Sequence, residues 1–107
     1  MSYQTIEPAQ LAARLANGEQ LRIIDVREEI EYDLARLEGT ELMPLSRFQT
    51  WADTLDPSQE TVFMCHHGIR SAQVCMALAR LGFTKLHNLS GGIDAWSKEV
   101  DANVPRY

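Results

Sequence analysis

The chain is short of cysteine, of positive charge and of long apolar runs. Two cysteines, Cys65 and Cys75, are too few for a disulfide framework. The N-terminal stretch Met1-Ser2-Tyr3-Gln4-Thr5 lacks the charged and apolar regions of a secretory leader. Together these features predict a cytoplasmic protein with free thiols. A net charge of −5, from 10 basic and 15 acidic residues, gives no electrostatic basis for binding nucleic acid or an anionic membrane surface. Any anionic ligand must therefore be held by local donors. No apolar run approaches the ~20 residues needed to span a bilayer. Repeats, low-complexity tracts and linkers are missing too. The 107 residues, 45% hydrophobic and 23% charged, are read as one globular domain over 1–107.

What is present is an alternation of short β-branched runs with helical patterns. Thr5-Ile6 reads as a short edge strand. Pro8 sits at a first helical position, with Leu11, Ala12 and Leu15 as the buried face and Asn17-Gly18 as the stop. Leu21 to Val26 reads as a strand covered on both faces. Glu28 to Leu34 fits a short acidic helix with Ile30 and Leu34 four apart, and Glu41-Leu42-Met43 fits a weak strand. Ser46 is placed to cap a helix bearing Phe48, Trp51 and Leu55, which Asp56-Pro57-Ser58 ends as a turn. Thr61 to Met64 is the next strand. Ser71 to Leu81 is the clearest helix, with Val74, Cys75, Leu78 and Leu81 on one stripe and Gly82 as its cap. Lys85 to Leu89 is the last strand, and Gly91-Gly92 opens a final helix bearing Ile93 and Trp96. The alternation predicts an α/β fold with a parallel sheet covered on both faces. Ligands of such sheets bind at the carboxyl ends of strands, where Asp25 and Cys65 both fall.

Cys65-His66-His67-Gly68-Ile69-Arg70-Ser71 carries the chemistry. A strand delivers a cysteine to a short glycine-containing loop, and the loop opens a helix. Backbone N–H groups of such a loop, with the helix N-terminus, can converge on one point and hold an anion. The same positive field favours the thiolate, the form that attacks. The segment therefore reads as a nucleophilic cysteine beneath an anion cradle.

Three segments in this order and spacing together resemble the rhodanese family, over nearly the whole chain. They are Ile24-Asp25-Val26-Arg27 followed by Glu31-Tyr32, the Cys65–Ser71 loop, and Leu89-Ser90-Gly91-Gly92-Ile93-Asp94-Ala95-Trp96. The resemblance implies a three-layer fold around a parallel sheet of about five strands, and sulfurtransferase chemistry with no cofactor. It implies that Cys65 takes a sulfane sulfur from a small anionic donor such as thiosulfate. A persulfide and sulfite result, and cyanide or a thiol, including a thiol on a protein, then removes the sulfur. One departure stands out: where many members carry Gly-His-Ile before a Gly-Ala pair, this chain has Ala35-Arg36-Leu37-Glu38-Gly39-Thr40. That segment is expected near the entrance of the site; if the acceptor is a protein, residues around Ala35 to Leu37, Arg36 among them, would form a docking surface together with His66-His67.

The other residues of the loop carry weaker expectations. Arg70 is a cation at a helix start, against the dipole. Its guanidinium can hold two oxygens of thiosulfate or contact the loop's own carbonyls. Gly68 supplies a left-handed turn or a close backbone approach. His66 and His67 are expected to diverge, one toward the pocket and one toward solvent, and either can offer a proton to an anionic donor. Ile69 and Ser71 complete the loop. A metal is rejected, because consecutive Cys65, His66 and His67 cannot wrap one ion and no second Cys/His cluster exists. Cys75 is read as core, and Asp25 as a support for loop N–H groups or a nearby arginine. Arg27 and Glu31 are expected to pair with each other on the short helix. Two alternatives remain at this stage. One is a Cys-dependent phosphatase or arsenate reductase of the same fold, though its loop is longer than the four residues, His66 to Ile69, between Cys65 and Arg70. The other is a non-catalytic binding module, which would usually have lost the cysteine.

Overall fold

A computed structural model describes residues 3–107. Five strands, β1 (Gln4–Ile6), β2 (Arg22–Asp25), β3 (Glu41–Leu42), β4 (Thr61–Met64) and β5 (Leu86–Leu89), pair in the order β1-β5-β4-β2-β3. Every pairing is parallel. The helices are α1 (Pro8–Ala16), α2 (Glu29–Leu34), α3 (Phe48–Trp51), α4 (Ile69–Arg80) and α5 (Gly92–Glu99). This is the α/β architecture that the alternation predicts. No helix among the described residues is long and apolar enough to cross a membrane.

Successive residues of a strand face opposite sides of the sheet, and β4 is buried at all of its positions. Ile24 and Phe63 join one core with Val74, Cys75 and Leu78 of α4 and Trp51 of α3. Ile23, Val62 and Met64 join a second core with Leu11 of α1 and Ile93 of α5. Each large side chain so buried contributes about 1.5–3 kcal/mol. The sheet is thus a layer between two apolar layers, which is why β2 and β4 read as continuous apolar runs.

The chain leaves β2 toward β3 on one side of the sheet and leaves β4 toward β5 on the other. The crevice between β2 and β4 is therefore the topological switch point, the usual ligand position in open α/β sheets. Asp25 and Met64 are in register across it, so Cys65 emerges at the same edge as Asp25.

Several local expectations shift. Helix α4 starts at Ile69, two residues before Ser71, because Gly68 adopts φ +96° and serves as its N-cap. Leu15 and Leu81, expected on buried stripes, are 37% and 63% exposed; each lies in or just past the last turn of its helix. Ser46 does not cap a helix. It lies in the 3-10 turn Leu45–Arg47 that follows Pro44, and its hydroxyl donates to Glu28 Oε1 at 2.6 Å. Trp96 is half-buried against the second core.

Candidate active site

Cys65 is the first residue after β4 and is 1% exposed. Its sulfur receives the N–H of Gly68 at 3.1 Å and the N–H of Ser71 at 3.4 Å. The Ser71 hydroxyl lies 3.3 Å from the same sulfur. Two backbone donors and the start of α4 therefore converge on Sγ, an arrangement that stabilises negative charge there.

Asn88 of β5 fixes the hydroxyl. Its amide nitrogen donates to the Gly68 carbonyl at 3.0 Å, which leaves its carbonyl oxygen facing Ser71. The Ser71 hydroxyl donates to that oxygen. A hydroxyl has one proton, so in the neutral site the thiol S–H can donate to Ser71 Oγ. Nothing in the sequence singles out Asn88, because no local pattern marks an asparagine inside a strand as polar support for a loop.

The N-terminus of α5 shapes the other side of the loop. Ile93 N–H donates to the Cys65 carbonyl at 2.9 Å and Asp94 N–H to the His66 carbonyl at 3.1 Å. With those carbonyls claimed from outside, the loop can turn its own N–H groups toward the sulfur. A side chain at Gly92 would not fit, because its Cβ would lie 2.3 Å from the Cys65 carbonyl oxygen.

Asp25 and Arg27 form a fully buried ion pair, with Arg27 Nη2 2.7 Å from Asp25 Oδ2 and both side chains 0% exposed. Burial opposes the charge on Arg27, but hydrogen bonds to Asp25 and Tyr107 outweigh it and its pKa is raised. The same guanidinium donates to the carbonyls of Ala35 at 2.6 Å and Glu31 at 3.3 Å. Asp25 thus pairs with a nearby arginine, whereas the expected side-chain pairing of Arg27 with Glu31 does not occur. Arg27 turns into the interior toward Asp25, and the Glu31 carboxylate is free to meet Arg70, at 2.6 and 2.8 Å.

That meeting raises the Arg70 pKa, chiefly through the Glu31 hydrogen bonds. Among the described residues the Arg70 guanidinium makes no hydrogen bond to Cys65 or to the loop carbonyls; one N–H of each terminal nitrogen goes to Glu31. Glu31 is thus a partner of Arg70, a contact that the helical spacing conceals.

His66 and His67 do not diverge. Their rings stack at 3.9 Å, and Tyr107 stacks on the opposite face of His66, also at 3.9 Å. Burial, then the neighbouring His67, pushes the His66 pKa down. His66 Nε2 is buried with no hydrogen-bond partner among the described residues. The His67 side chain is 57% exposed. The fold also brings Asp94 to the histidines, so that one ligating atom from each of the three lies within 4.8 Å of the others. Asp94 already pairs with Arg106 at 2.8 Å and Lys98 at 3.3 Å. Ile69 is exposed, at 70%. Arg36 is exposed as well and rests over the Tyr32 ring at 4.9 Å. It lines a shallow cavity with Leu37, Glu38 and Trp96, apart from the cradle residues.

A rhodanese-like domain model matches residues 7–99. The chain is 40% identical over 93 residues to Rhodanese-like/PpiC domain-containing protein 12, chloroplastic, of Arabidopsis thaliana. That match takes in 83% of this chain and only 31% of the plant protein, so the chain spans about a third of that relative's length. It is 34% identical to the putative sulfurtransferase YtwF of Bacillus subtilis, over 94% of this chain and 96% of that one. The crystal structure of a rhodanese-like domain protein from Staphylococcus aureus superposes with a TM-score of 0.82 at 23% identity, covering 100% of this chain and 99% of the other. With the strand order, the cradle on Cys65 and the family model in agreement, the chain belongs to the rhodanese-like domain family.

Proposed function

We propose that this chain is a sulfurtransferase that carries sulfane sulfur on Cys65. The observation that carries the reading is the convergence of the Gly68 and Ser71 N–H groups on one buried sulfur, at 3.1 and 3.4 Å. In the first half-reaction the Cys65 thiolate attacks the outer sulfur of thiosulfate. A bond forms between the two sulfurs, the bond to the sulfonate sulfur breaks, and sulfite leaves with the electron pair. The terminal sulfur of the persulfide then carries the negative charge, which the positive field of the loop N–H groups and the α4 N-terminus would favour. In the second half-reaction cyanide or a thiolate attacks that terminal sulfur, and Cys65 leaves as the thiolate. The scheme is ping-pong and needs no general base, provided that the cysteine is already ionised.

The test is to incubate the reduced protein with thiosulfate and record its intact mass, beside a Cys65→Ser control. The expected result is a gain of one sulfur atom, absent in the control and lost on adding cyanide. No gain would overturn thiosulfate as the donor, and Cys65-dependent hydrolysis of p-nitrophenyl phosphate would overturn the reaction class.

A further inference from the structure

Tyr107 follows Arg27 by 80 positions and Glu31 by 76, yet its phenol sits between their side chains. The oxygen accepts from Arg27 Nη1 at 2.8 Å and donates to Glu31 Oε2 at 2.9 Å. Only this polarity is possible, because a guanidinium cannot accept and a carboxylate cannot donate. Arg27 has five N–H groups. Asp25 and the carbonyls of Ala35 and Glu31 engage four of them, and Tyr107 takes the fifth. On the other side, Glu31 Oε2 also receives Arg70 Nη2. One phenol therefore links the buried Asp25–Arg27 pair to the Glu31–Arg70 pair at the start of α4. Its ring meanwhile lies nearly parallel to His66, at 10°, and His66 is the residue next to the proposed nucleophile.

This linkage bears on Arg70. Glu31 occupies one N–H on each terminal nitrogen of Arg70. The other three N–H groups have no partner among the described residues, and they belong to the only arginine in the Cys65–Ser71 loop. Where they point is set by Glu31, whose Oε1 receives the Glu28 N–H at 3.2 Å and whose Oε2 is held by Tyr107.

We propose that Tyr107 is a positioning residue for sulfur transfer: it holds Glu31, and through Glu31 it aims the unpaired N–H groups of Arg70 at an anionic sulfur donor. The inference rests on the sulfurtransferase reading above. Tyr107 touches neither the donor nor the sulfur in this scheme. Its effect belongs in donor binding and passes through one intermediary.

The experiment measures thiosulfate:cyanide turnover for the full chain and for Tyr107→Phe, Glu31→Gln and the double variant, with thermal melts alongside. Tyr107→Phe keeps the ring on His66 and removes only the hydroxyl. It is expected to raise KM for thiosulfate about fivefold to tenfold, the worth of one ordinary hydrogen bond, while kcat stays within about twofold. If Tyr107 acts through Glu31, adding Tyr107→Phe to Glu31→Gln should raise KM no further. An unchanged KM in Tyr107→Phe, or a rise that simply multiplies in the double variant, would overturn the assignment to Tyr107 alone. Absence of turnover and sulfur uptake in the unaltered chain would overturn the sulfurtransferase reading and this inference together.

Discussion

Arg70 and Glu31, 39 positions apart, meet fork to fork, Nη1 on Oε1 at 2.6 Å and Nη2 on Oε2 at 2.8 Å. The contact fastens α2 to the first turn of α4 and offsets the cost of a cation at a helix N-terminus. Arg70 holds the Glu31 carboxyl down at about 2, from an ordinary 4.5, against the opposing effect of partial burial. Because the folded-state pKa lies below the unfolded one, this contribution to stability is complete above the unfolded value. It is lost as pH falls toward the folded value. Glu31→Gln should therefore lower the urea midpoint at pH 7, and its deficit against the unaltered chain should shrink as the pH is taken from about 4.5 to about 2. A deficit constant across that window would mean that the charge of Glu31 is not what stabilises.

Ser71 tests the cradle. Its side chain is fully buried, its hydroxyl donates to Asn88 Oδ1, and the same oxygen lies 3.3 Å from the Cys65 sulfur. Alanine leaves the Asn88 oxygen buried without a donor, at a cost of about 1–3 kcal/mol in denaturant unfolding. It also removes the oxygen placed to accept the Cys65 S–H, a contact that favours the thiol over the thiolate, so alkylation of Cys65 by iodoacetamide at fixed pH should quicken. Loss of stability with unchanged alkylation would assign Ser71 to packing and not to the sulfur.

The architecture is legible in the sequence because it rests on local signals. Thr61 to Met64 reads as a strand and is one, and Cys65 follows it into a loop that opens a helix. Contacts made across the fold leave no such signal. Arg27 and Glu31 satisfy the helical pairing rule by spacing, yet Arg27 precedes the helix and is drawn into the interior by Asp25. Glu31 then serves Arg70, a choice that no local pattern announces. Tyr107 and Asn88 reach the site only because β5 and the chain beyond α5 return to the switch point. Adjacent histidines read as parting, and these stack because Tyr107 closes the far side of His66.

Cys75 offers a contrast between two thiols. It is fully buried in the core on α4, and burial pushes its thiol up to about 12. At pH 8 it should remain protonated and inert. Iodoacetamide should therefore modify the native chain once, at Cys65, and twice after unfolding in guanidinium. Cys75→Ala should take up sulfur from thiosulfate as the unaltered chain does. Loss of uptake in that variant would give Cys75 a part in the transfer that core packing does not predict.

Two glycines with similar backbones separate strain from contact. Gly39 has φ +81° and open space, with nothing within 4 Å of where a Cβ would stand, whereas a Cβ at Gly92, with φ +61°, would lie 2.3 Å from the Cys65 carbonyl oxygen. Alanine at Gly39 incurs only the left-handed backbone cost, about 1–2 kcal/mol, and should leave sulfur uptake intact. Alanine at Gly92 incurs that strain and also pushes α5 off the loop. The bond from Ile93 N–H to the Cys65 carbonyl, 2.9 Å, is the one that turns the cradle inward. The Gly92→Ala variant should therefore lose at least about twice the stability of Gly39→Ala, and its sulfur uptake should fall away even at temperatures where it remains folded. Equal losses in the two variants, with uptake preserved in both, would show that the approach of α5 to Cys65 can relax without cost, and the cradle's geometry would then have to be set by Asn88 and Ser71 alone.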